Sequence, residues 1–98
     1  MATSRVVLEC YGVVGIANRK LKHQKAELLD DGNYHRGIVV SLQGDLVVID
    51  VYVVVEYGTR ISEVAHNIMS TVRETLRRML SVPTVRVNVN VQGVRISG

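Results

Sequence analysis

Hydrophobic and polar positions are most regular between residues 38 and 56, where IVVSLQ, then Gly44-Asp45, then LVVIDVYVVVE follow one another. A Gly-Asp pair between two β-branched runs predicts a hairpin with a two-residue turn. Pairing outward from that turn sets Leu42 against Val47, Val40 against Ile49 and Ile38 against Val51, all on one face. The second face then carries Gln43, Leu46, Ser41, Val48, Val39, Asp50, Tyr52, Val54 and Glu56, which is mixed and not plainly wet.

Over residues 59–80 the rhythm changes to that of an amphipathic helix, with Ile61, Val64, Ala65, Ile68, Val72, Leu76 and Met79 in one stripe. Thr59 suits an N-cap, Arg77 and Arg78 suit the C-terminal end, and Pro83 stops the helix from continuing. In the TVRVNVNVQGV that follows, Val85, Val87, Val89 and Val91 alternate with Arg86, Asn88, Asn90 and Gln92, as in a half-buried strand. Residues 4–17 show no firm rhythm; Gly12 is expected to end a helical turn and VVGIA to form a strand. RKLKHQKAELLDD, residues 19–31, puts cations first and acids last, against a helix macrodipole. It reads as a solvated surface connection, with a phosphate-binding patch as the sharper alternative.

These elements predict one α+β domain over residues 1–98. It has two layers, a mainly antiparallel or mixed sheet of about four strands and one long amphipathic helix on one face. The helix stripe Ile61, Val64, Ile68, Val72 and Leu76 should pack on Val40, Ile49, Val51, Val53, Val87 and Val89.

Composition sharpens the picture. The chain has 98 residues and is 47% hydrophobic, with twenty Val and six Ile but no Phe and no Trp, which favours a dominant sheet. The longest apolar run is interrupted by Asp50, so no membrane span is expected. The single cysteine, Cys10, allows no internal disulfide; it reads as a small buried apolar residue in a protein of a reducing cytoplasm. The net charge of +3 permits an anionic partner without requiring one.

Candidate chemistry is sparse. In EVAH, Glu63 and His66 have the three-residue spacing of di-metal carboxylate bundles. At about 100° per residue, however, they lie roughly 200° and 140° from Ile61, away from the apolar stripe. No second such pair exists, so no metal site is expected. Ser62 and His66 have no implied orienting carboxylate. Gly12-Val-Val-Gly15 has the spacing of a backbone clamp for RNA, but its valines read as strand. No catalytic, cofactor-binding or metal-binding residue emerges.

VYVVVEYGTRISEVAHNI followed by VRVNVNVQGV resembles the alkaline-shock (envelope stress response) protein family of Gram-positive bacteria. The matching positions are Tyr57, Gly58, Ile61, Glu63, Val64 and Ala65, then Val87, Asn88, Val89, Val91, Gly93 and Val94. CYGVVGIA resembles the family's segment just after its first helix, and the likeness spans residues 10–96. Two features depart from the pattern. The helix before CYG is short, as from a truncated start or in a short variant lacking most of it, and Leu80-Ser81-Val82-Pro83 replaces the family's Thr-Gly turn. The resemblance implies a non-enzymatic cytoplasmic protein of cell-envelope homeostasis. Such a protein would be peripheral to the inner face of the membrane, self-associating and recruited by a membrane-anchored partner of the same family.

The interaction face expected for such a module is the second sheet face, with Val39, Leu46, Val48, Tyr52, Val54 and Arg86 exposed around Asp50. The alternative is a small basic nucleic-acid-binding domain. It would use Arg19, Lys20, Lys22, Lys25, Arg73, Arg77 and Arg78, diluted by Asp30, Asp31, Glu63 and Glu74.

Overall fold

The computed structural model describes residues 2–30, 32–80 and 84–96. The expected stop at Pro83, the turn residues 81–83 and Asp31 lie outside the described residues. In chain order the elements are helix α1 (Ala2–Leu8), strand β1 (Val13–Ile16), a 3-10 turn (Tyr34–Arg36), β2 (Ile38–Gln43), β3 (Leu46–Glu56), α2 (Ile61–Leu80) and β4 (Val85–Arg95).

β3 organises the sheet. The β2–β3 hairpin has the expected register, Ile38 on Val51, Val40 on Ile49 and Leu42 on Val47. Of its two central turn residues only Gly44 has a positive φ, +64°, which fits a primed turn that opens with glycine. β4 runs parallel to β3 along nearly its whole length, from Val47 on Val85 to Glu56 on Arg95. Parallel neighbours need a crossover, and α2 supplies it.

β1 pairs antiparallel with the last part of β3, from Ile16 on Val53 to Val13 on Val55. It therefore continues the same edge that β2 begins. The two strands meet at Tyr52, whose N–H donates to the Gly37 carbonyl and whose carbonyl accepts from Ala17 N–H, at 2.9 and 2.8 Å. A β-carbon on Gly37 would collide with the carbonyl oxygen of Ala17, so only glycine fits where the strands abut.

The helical layer covers one face. Val64, Ile68, Val72 and Leu76 of α2 are buried against Ile49, Val51, Val53, Val55, Val85 and Val87. α1 packs beside α2 and against β1, contributing the fully buried Val7. The expected stripe is right in its centre and wrong at its ends. Ile61 and Met79 share the stripe's direction but are exposed on the outermost turns, where the packing partners run out. Val40, assigned above to the core, is 55% exposed, because α1 and α2 cover β1, β3 and β4 and leave the outer half of β2 bare.

Thr59 does not cap α2 as expected. Its hydroxyl donates to the Glu56 carbonyl at 2.6 Å and so fixes the strand-to-helix turn, in which Gly58 has φ +90°. Tyr57 lies in this turn and is 70% exposed.

Candidate interaction surface

The second sheet face divides in two. Its upper part, where Gly15, Val54 and Gly93 stand side by side, is roofed by the connection between β1 and β2. A β-carbon on Gly15 would come within 2.9 Å of Leu28 Cδ2, and one on Gly93 within 3.3 Å of Ala26 Cβ. The two glycines thus let the connection settle onto Val54, which is fully buried. Leu29 N–H donates to the Ile16 carbonyl, Gln92 Nε2 to the carbonyls of Asn18 and Arg19, and Arg95 to that of Ala26. Residues 19–25 are solvated as expected, but 26–29 form part of the fold. Apolar Ala26, Leu28 and Leu29 were the only sequence signal for this.

Val54 therefore leaves the predicted interaction face. Val48, only 5% exposed between its strand neighbours Ser41 and Arg86, contributes little to it, and Tyr52 is half-buried. The lower part keeps Val39 and Leu46 half-exposed and Arg86 exposed, around an Asp50 carboxylate that accepts from Asn88 Nδ2 at 3.1 Å.

A second apolar surface, missed from sequence, lies on the rim. Val40 and Leu42, 55% and 74% exposed, project from β2 toward the helical side of the sheet. Among the described residues β2 pairs only with β3, so its outer edge is open. The bond between Tyr52 and Gly37 fixes the parity. Residues 39, 41 and 43 exchange bonds with β3, and the N–H and C=O groups of Ile38, Val40 and Leu42 point outward. Beside this edge runs a cleft of about 510 Å³, with Ile38, Val39 and Val40 along it and Asn18, Arg19, Lys20, His35 and Arg36 around it.

The predicted basic residues are not gathered in one patch. Arg19 and Lys20 border this cleft, Lys22 pairs with Glu27 at 3.8 Å, and Lys25 faces it across a tight turn. Arg73, Arg77 and Arg78 belong to α2, on the other side of the sheet from the connection, and Arg78 pairs with Glu74 at 3.3 Å. Glu63 and His66 are both exposed on α2, as their helical angles implied, and Glu63 accepts from Arg60 at 3.3 Å. Cys10 is half-buried against the core; its thiol donates to the Val6 carbonyl, and burial pushes its pKa up, more than a hydrogen bond from Thr71 lowers it.

The family-like residues serve this architecture. Val64 fills the space above Gly12, whose β-carbon would lie 2.6 Å from Val64 Cγ2, and Tyr57 N–H ties the turn to the Arg95 carbonyl at 2.8 Å. Residues 2–96 match the model of the alkaline-shock protein family, described as of cell envelope-related function. The uncharacterized protein YloU of Bacillus subtilis is 39% identical, over 99% of this chain and 82% of its own length. The uncharacterized protein Spy1614 of Streptococcus pyogenes is 38% identical, over 92% and 75%. A solved structure, MamM-CTD 215-293, is 12% identical with a TM-score of 0.47, over 91% of this chain and 89% of its own.

Proposed function

Because the chain belongs to the alkaline-shock protein family, with its cell envelope-related function, we propose that it acts there as a non-enzymatic module for protein interaction and self-assembly. None of the described helices is long and apolar enough to cross a membrane. In this reading a membrane-anchored partner, a protein of the same family, recruits it to the inner face of the cell membrane. The observation that carries the reading is apolar surface left open on both sides of β2, with Val40 and Leu42 on the rim and Val39 and Leu46 on the second face. Large apolar side chains grouped on one strand and its neighbour mark a surface meant to be covered.

The second face is the partner surface in this reading, because Arg86 and Asp50 frame its apolar residues and give a partner polar anchors for orientation. The test is affinity capture with the intact chain from a Gram-positive lysate whose membranes are retained. A membrane-anchored protein should be enriched, and Leu46→Asp should abolish that enrichment while the urea midpoint holds. Enrichment unaffected by Leu46→Asp, or recovery of nucleic acid alone, would overturn the reading.

A further inference from the structure

We propose that a second copy of this chain pairs antiparallel along the open edge of β2, centred on Val40, with the hairpin tip of each copy seated in the cationic cleft of the other. The proposal rests on the self-assembly reading above and assigns it a surface and a register.

The parity of β2 singles out this arrangement. Outward-facing backbone groups belong to Ile38, Val40 and Leu42, a set symmetric about Val40. A two-fold axis through Val40 sets Val40 opposite Val40 of the second copy and Ile38 opposite its Leu42. All three pairs are then of the type that exchanges both backbone bonds, giving roughly six hydrogen bonds across the joint. A shift by one residue would bring inward-bonded groups to the edge and lose them all.

Side chains follow the backbone. The residues of this symmetric set lie on one face, so pairing brings the exposed Val40 side chains together and lays each exposed Leu42 beside the other copy's Ile38. Ile38 is one of the apolar residues along the cleft, and that is the end to which the second copy's turn would extend. Beyond its Leu42 and Gln43 the second copy's Gly44-Asp45 turn would lie toward the 3-10 turn that carries His35 and Arg36. Asp45 is exposed at the tip of the hairpin, and Arg19, Lys20 and Arg36 line the cleft at that end. The one acidic group of the turn thus meets the cations of the cleft twice, once at each end. Exposed charge pairs contribute little binding energy, so this match sets register and orientation more than affinity. An edge strand with exposed Val40 and Leu42, whose outer ladder pairs with no other strand among the described residues, invites such pairing.

Val40→Pro separates this joint from every other surface. The Val40 N–H points outward and takes no part in the β2–β3 ladder, and proline is tolerated at such an edge position. Sedimentation equilibrium of the intact chain should show a concentration-dependent dimer, with Val40→Pro weakening it about tenfold or more through the two lost central bonds. Asp45→Lys should also weaken it, and the effect should shrink as salt is added. Circular dichroism and the urea midpoint report whether each variant is folded. Should Val40→Pro disturb the fold, Leu42→Lys, a change at a solvent-exposed side chain, takes its place. A folded variant that dimerises as well as the parent overturns the edge joint. If Leu46→Asp dissociates the dimer instead, the self-assembly reading survives on the second face and only this inference fails. A strictly monomeric parent overturns the joint while leaving partner capture as the separate test of recruitment.

Discussion

Ile68 and His66 stand two residues apart on α2 and meet opposite environments, one fully buried under the sheet and the other in solvent. Ile68→Ala should cost about 2–5 kcal/mol, since a core of small branched side chains has little slack to refill the space. His66→Ala should stay within about 0.5 kcal/mol, and paired urea melts decide between them. This contrast was readable from helical angles alone. The demand for glycine at 37 was not, because the colliding oxygen belongs to Ala17, twenty residues earlier in the chain. Gly37→Ala should therefore destabilise by about 1–3 kcal/mol and loosen the seam between β1 and β2, visible in the same melts. Cys10 yields a pH prediction. Its raised pKa means the fold favours the neutral thiol, so its contribution is complete below the ordinary value of 9.0 and fades as pH rises through the raised one. Iodoacetamide should label it more slowly in the folded chain than in urea at the same pH.

Among the elements, the hairpin and α2 were legible because their periods of two and 3.6 are set locally. The β1–β2 connection was not legible because its charges dominate its composition, while its contacts depend on Gly15 in β1 and Gly93 in the far β4. Its tip also carries local strain. Lys22 and Lys25 exchange backbone bonds at 2.9 Å across His23 and Gln24, which have φ of 51° and 62°. This two-residue turn favours Asn-Gly, and neither residue present relieves the left-handed backbone as those would. His23→Asn combined with Gln24→Gly should raise stability by about 0.5–1 kcal/mol, read as an upward shift in the urea midpoint. Since these side chains are exposed, no packing loss should offset the gain.

Across the whole molecule, alternation along each strand gave the sheet its faces, whereas strand order stayed hidden. Nothing in a single sequence says that β1 and β2 lie end to end on one edge of β3, because neither strand contacts more than part of it. The open rim follows from the same arrangement: α1 and α2 are placed over β1, β3 and β4, so Val40 and Leu42 look like core in the pattern and are surface in the fold. The seam at Tyr52 also divides the edge into two parts that can open separately, since no bond in the β2 ladder is shared with β1. Tyr52 N–H is held by Gly37, while Glu56 N–H, four residues on in the same strand, is held by Gly12 at 2.8 Å. In native-state hydrogen exchange, Tyr52 should therefore follow the amides of the more exposed β2 and Glu56 those of the buried β1, at a higher opening free energy. One continuous strand would then carry two isotope clocks, and β2 could part from β3 repeatedly while β1 stays paired.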